Sequence, residues 1–149
     1  MGKKRIIQKS QEELIREREK VDAAVSKESK VSFRSLKEGR VYISSSYNNT
    51  LMTLTNARGE VLLWKSSGAL GFKGAKKATS FAASKVAEAF AEGARKLGIE
   101  QISVFIKGIG SGRDSALKSL ANKGMDITSI KDITPIPHNG CRPKKSRRV

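Results

Sequence analysis

The stretch that most constrains this chain is 41–64, where short runs of period two are separated by turn signals. Val41, Ile43 and Ser45 alternate with Tyr42, Ser44 and Ser46, and a period of two places successive side chains on opposite faces of a strand. Tyr47-Asn48-Asn49 signals a turn, because Asn tolerates left-handed backbone and bonds its own main chain. Leu51-Met52-Thr53-Leu54-Thr55 reads as a second strand, Asn56-Ala57-Arg58-Gly59 as the next turn, and Val61-Leu62-Leu63-Trp64 as a third strand. Three strands joined this tightly form an antiparallel meander.

Beyond the meander the period changes. Ser66 to Gly74 reads as a loop with three glycines, Gly68, Gly71 and Gly74. From Ala75 to Leu97, Ala78, Phe81, Ala82, Val86, Ala89, Phe90 and Ala94 recur at spacings of three and four, which predicts a long helix with these residues on one face. Gly98 is placed to cap it. Residues 101–107 read as a buried strand, 108–112 as a second glycine loop, 115–123 as a helix ending at Gly124, and 127–134 as a last strand before Pro135 and Pro137. The order β-β-β-α-β-α-β predicts an α/β fold with a mixed sheet and helices packed on its faces.

At 149 residues the chain is long enough for one domain. Three segments are expected: a charged extension over 1–38, an α/β domain over 39–137 and a basic tail over 138–149. The extension has helix-favouring residues but only a thin apolar stripe (Leu14, Val21, Val25), so 11–29 is expected to be a marginal helix or unstructured. Thirty Lys and Arg against 14 Asp and Glu give a net charge of +16, which favours a polyanionic partner. Nine of those bases and six of the acids lie in 1–30, so the surplus belongs mainly to the rest of the chain. It frames a small neutral-faced sheet and ends in the tail, where Arg142, Lys144, Lys145, Arg147 and Arg148 stand without an acid. No run approaches the roughly 20 apolar residues of a spanning helix, 1–30 does not read as a signal peptide, and the single cysteine, Cys141, permits no internal disulfide. A reducing, cytoplasmic setting without a membrane partner is expected.

Gly108-Ile109-Gly110-Ser111-Gly112-Arg113 stands between a predicted strand and a predicted helix. Glycines there admit close backbone approach, and helix-start amides with Arg113 favour phosphate. The GxGxG spacing matches neither the dinucleotide fingerprint nor the P-loop, which leaves a helix-capping turn or contact with nucleic-acid phosphate. Ser66 to Lys77 has the same character: Lys73, Lys76 and Lys77 cluster at a helix start, or form a solvated face. Phe72 in that loop reads as a core plug or a base-stacking platform. His138 and Cys141 are too few for a zinc site, and no third group orients them as a nucleophile pair. The first two strands lack carboxylates, and Glu60, Glu100, Asp126 and Asp132 do not cluster as a metal nuclease requires. No enzyme, cofactor, metal or small-molecule substrate is expected.

The run from Ile127 through Thr134-Pro135-Ile136-Pro137-His138-Asn139-Gly140-Cys141-Arg142-Pro143, with its basic end, closely resembles the small-subunit ribosomal protein eleven family. Asn48-Asn49-Thr50, the loop from Ser67-Gly68 to Gly74 with Phe81-Ala82-Ala83, and the Gly108 to Arg113 loop match in the same order, so the resemblance covers about 39–149. It implies a topology similar to the ribonuclease-H-like fold without its catalytic acids. It also implies a structural role on the platform of the small subunit, bridging helices of small-subunit rRNA and helping to line the messenger-RNA exit cleft, with ribosomal proteins seven and eighteen as neighbours. Carried over by position, the implied rRNA contacts begin with Asn48, Asn49 and Thr50, then Lys65, Ser66, Ser67, Gly68, Lys73, Gly74, Lys76 and Lys77. They continue with Lys107, Gly108, Gly110, Gly112 and Arg113, and then the tail: His138, Asn139, Gly140, Arg142, Pro143, Lys144, Lys145, Arg147 and Arg148. Two departures stand out: the extension is longer and more acidic than the family's usual N-terminus, and Ile109 and Ser111 replace frequent prolines, which would loosen that loop. A non-ribosomal RNA chaperone and a divergent ribonuclease-H-like nuclease are the competing readings, the latter opposed by the carboxylate-free first strand.

Overall fold

In a computed structural model, the structure describes Ile15, Glu19, 37–142, Lys144 and Lys145. Ile15 and Glu19 are helical; the rest of the expectation for 11–29 lies outside the described residues, as do Pro143, Arg147 and Arg148.

The meander forms as the alternation predicts: β1 (Glu38–Ser45), β2 (Thr50–Thr55) and β3 (Val61–Ser66) pair antiparallel in sequence. A 3-10 turn over Gly74–Ala78 leads into α1 (Ser80–Lys96); β4 (Gln101–Lys107), α2 (Gly112–Asn122) and β5 (Asp126–Asp132) follow. The sheet order is β3-β2-β1-β4-β5, with β4 parallel to β1 and β5 parallel to β4. This is the mixed sheet and element order expected from the sequence.

Several boundaries and one layer differ. The single helix expected from Ala75 divides, because Thr79 is extended (φ −72°, ψ 152°) and its Oγ1 accepts the Ala82 amide at 3.2 Å, an N-cap that starts α1 afresh. Phe81, expected on the buried face, lies in the first turn of α1 and is 58% exposed, with its ring edge-on to Phe72 at 6.1 Å. The second helix starts at Gly112 rather than Ser115, so the end of the glycine loop is already its first turn. Gly98 caps α1 as expected, at φ 78°.

Both helices lie on one face of the sheet, not on both. Val41, Ile43, Met52, Leu54, Leu63, Ile102, Val104 and Ile106 all point the same way by register and are buried against Val86, Ala87, Phe90, Ala94, Ala116 and Leu120. The two right-handed crossovers advance in the same direction across the sheet, which puts their helices side by side. Alanines make this layer thin: Ala83 packs against Gly112, and a Cβ on Gly93 would sit 2.7 Å from a Leu63 methyl. Consequently β4 is buried on one face only; Ser103 and Phe105 are half-buried on the other. That other face is not neutral either, since Arg40, Lys107 and Lys131 are exposed on it.

Candidate nucleic-acid interface

The sequence-predicted segments meet at one end of the sheet. β1, β4 and β5 all finish there, β2 begins there, and α1 and α2 both start there. Two helix N-termini, with the positive ends of their dipoles, therefore face the same side.

Each segment is held by a hydrogen bond to another. The turn 46–49 is organised by Ser46: its Oγ accepts the Asn48 amide at 3.3 Å and the Asn49 amide at 3.1 Å, and its own amide donates to the Asn49 carbonyl at 2.9 Å. The turn thus relies on a serine and leaves the exposed Asn48 side chain to face solvent. Ser67 ties the next loop to it, its amide donating to the Thr50 carbonyl at 3.1 Å and its buried hydroxyl to the same oxygen at 3.4 Å. Ser66, half-buried, accepts the Ala69 amide on Oγ at 3.2 Å, and Gly68 is exposed beside it. Lys73 and Lys76 are exposed, Gly74 stands at φ 58°, and Lys65 and Lys77 are half-buried. Phe72 packs against the core, as a plug does.

The second glycine loop lies against the end of β1. The Gly110 amide donates to the Ser45 carbonyl at 3.0 Å, and a Cβ on Gly108 (φ 99°) would stand 2.1 Å from that carbonyl oxygen. Only a glycine lets the two backbones approach so closely. Ser111, the departure that would loosen the loop, instead fastens it: its Oγ donates to the Ala78 carbonyl at 2.8 Å. Gly112 packs against Thr50 and Ala83, and Lys107 is exposed.

Arg113 has a different setting from that expected of a phosphate-facing cation. Its guanidinium donates to the Gly108 carbonyl, to Thr134 Oγ1 at 3.1 Å and to Asp132 Oδ2 at 2.5 Å. Thr134 Oγ1 also accepts the Gly108 amide at 3.1 Å and donates to Asp132 Oδ1 at 2.6 Å. These bonds to the Thr134 hydroxyl and to Arg113, with the Thr134 amide, lower the Asp132 carboxyl from 3.8 to about 2. The cluster clamps the glycine loop to the root of the C-terminal segment. Asp132-x-Thr134 ahead of Pro135 is a short-range turn signal that reveals half of this clamp; Arg113 joins it from across the fold, which no local pattern reveals.

Past Pro137 the chain is exposed, including His138, Gly140, Cys141, Arg142, Lys144 and Lys145. Asn139 stands at φ 54°, the left-handed conformation expected of Asn-Gly. Among the described residues no three His, Cys, Asp or Glu side chains come together as a metal site, and no helix is long and apolar enough to cross a membrane.

Glycine-lined backbone, exposed lysines, paired helix starts and the root of the basic terminal segment thus occupy one end of a thin α/β domain. The family model described as Ribosomal protein S11 matches residues 39–148. The chain belongs to this family. It is similar to the small ribosomal subunit protein uS11 of Treponema pallidum strain Nichols, 52% identical over 126 residues, which is 85% of this chain and 99% of the relative. The Borreliella burgdorferi strain ZS7 protein of the same name is 52% identical over 116 residues, 78% of this chain and 89% of the relative. The uS11c protein of Tupiella akineta is 51% identical over 120 residues, 80% and 92% of the two chains. The family match begins at Gly39, one residue into β1, and spans every element that builds the loop end.

Proposed function

We propose that the chain is a structural constituent of the small ribosomal subunit that binds rRNA through the loop end of its sheet. The observation that carries the RNA-binding part is the convergence of 48–50, 65–77 and 107–113 on one end of the domain, next to the root of the basic tail. Lysines neutralise phosphates, glycine backbone admits close approach, and Asn and Ser bond to phosphate and 2′-hydroxyl oxygens. The work is positional and not enzymatic. Two arms of different reach support a bridge between separate rRNA helices. The loops are short and cross-linked by hydrogen bonds, whereas residues 138–149 span roughly 40 Å if extended, at about 3.3 Å per residue. The family resemblance supports a position on the platform beside the messenger-RNA exit cleft, next to ribosomal proteins seven and eighteen.

Arg113 supports this reading through the clamp, holding the glycine loop and the start of the tail in fixed relation. The test is to tag the protein in its source cell, separate ribosomal subunits on a gradient at moderate salt, and identify the protein by mass. It is expected in the small-subunit fraction; its absence there overturns the reading. Removing 142–149 takes away five positive charges and is expected to make the salt dependence of rRNA binding shallower, by up to about 0.9 in slope per lost duplex phosphate contact. An unchanged slope means that the tail meets no phosphate.

A further inference from the structure

The face of the sheet away from the helices presents one continuous row of side chains. Register aligns Trp64 with Thr53, Thr53 with Tyr42, Tyr42 with Phe105, and Phe105 with Lys131. Tyr42 and Phe105 stack with centroids 5.0 Å apart and 16° between their planes, and Trp64 is 59% exposed. Two strand spacings, about 10 Å, separate Trp64 from Tyr42, so the row has two aromatic stations that do not touch each other.

Charge around the row is one-sided. The level nearer the loops holds Lys107, the level on the other side holds Arg40, and Lys131 ends the row; all three are exposed. The acids aligned with this face, Glu38 and Asp126, come one level further away, flanking Gln101. One exposed ring, Trp64, and two half-buried ones, Tyr42 and Phe105, set among cations with no carboxylate between them, have the chemistry of a site for unpaired nucleotides: rings stack on base faces while the cations take phosphates. A duplex cannot use the rings, because its bases are stacked inside, and an apolar protein segment would cover three cations without pairing them.

We propose that this face is a second RNA surface, a stacking platform on which Trp64 and the Tyr42–Phe105 pair each hold a base of one single strand, with Arg40, Lys107 and Lys131 on its phosphates. It uses neither the loops nor the tail. Trp64 is the only tryptophan in the chain, so its emission reads the site directly. The full chain is titrated with a short unstructured oligoribonucleotide and, separately, with a blunt RNA duplex, with binding also followed by filter retention. The single strand is expected to quench Trp64 and the duplex is not. Trp64→Ala and the double variant Tyr42→Leu, Phe105→Leu are expected to weaken single-strand binding by about 5- to 150-fold, with circular dichroism and duplex binding unchanged. Lys131→Glu, which leaves the rings in place, is expected to weaken it as well. Unquenched emission at saturation, or ring variants that bind the single strand as tightly as the parent, overturns the proposal. Ring variants that keep RNA binding but no longer enter small subunits would mark the face as a protein contact and overturn it too. A chain shortened by 142–149 is expected to keep the quench, so a failure of the tail to bind rRNA is read separately.

Discussion

The β2–β3 turn and the loop end of the sheet are closed in opposite ways. At the far end, the turn between β2 and β3 is closed by itself: Asn56 Oδ1 accepts the Arg58 and Glu60 amides at 2.9 and 3.0 Å, and Asn56 Nδ2 donates to Glu60 Oε2 at 2.6 Å. At the loop end, each segment is bonded to a segment distant in sequence, Ser67 to Thr50, Gly110 to Ser45, Ser111 to Ala78 and Gly108 to Thr134. A turn closed on itself can be altered without consequence elsewhere. A cross-bonded end behaves as one unit, and a change in one loop reaches the others.

That contrast breaks hardest at the glycines. Gly108→Ala places a Cβ 2.1 Å from the Ser45 oxygen at a positive φ, and is expected to cost about 3 kcal/mol or more in urea unfolding, with rRNA binding lost alongside. Thr134→Val removes the hydroxyl shared by Gly108, Arg113 and Asp132. It is expected to cost about 1–2 kcal/mol and to speed amide exchange at Gly108, which a purely local effect at residue 134 does not do. Gly59→Ala has the same sign of φ, 92°, but open space around it; the expected cost is about 1 kcal/mol, with rRNA affinity unchanged. If Gly59→Ala harmed RNA binding as Gly108→Ala does, the division between the β2–β3 turn and the loop end would be wrong. The smallest effect is in pH. The Asp132 carboxyl is held at about 2, below its ordinary 3.8, so its contribution is present above pH 3.8 and fades as pH falls through about 2. Its carbon chemical shift, followed by NMR titration, is expected to show that midpoint, and Thr134→Val to raise it.

Elements that declare themselves locally were legible in the sequence. The meander strands follow from alternation and turn residues, β4 from its apolar run, β5 from its place before Pro135 and Pro137, and Gly98 from its place after the periodic run. The start of α1 was misread because Ala75 and Ala78 keep the helical period across the break, while the Thr79 cap that interrupts it is a single side chain. The helix layer was misread for a non-local reason: which face a crossover covers depends on strand order, and period alone does not carry that. Phe81 follows the periodicity yet is exposed, its ring set edge-on to Phe72 outside the core, while Ala82 and Ala83 of the same turn are buried. The loop residues of the interface were visible as motifs, but what holds them, Ser45, Ser67, Ser111 and Thr134, acts across long sequence separations. Tyr42 and Phe105 stood in the off-phase of their strands, and only the pairing of β1 with β4 brings them together.

The central place of β1 also sets an order of events during synthesis. One edge of β1 is completed at once by β2 through a short turn, but the other waits for β4, so Val41 meets Val104 only after β2, β3 and α1 have been made. Pairing across so much chain is slow, because loop closure comes before any contact offsets it. Until then the nascent meander carries an open, apolar inner strand, a feature prone to misassociation. The chain is at its most vulnerable as α1 emerges, and a binding partner that protects it then would have to engage β1 on the edge that the finished protein hides.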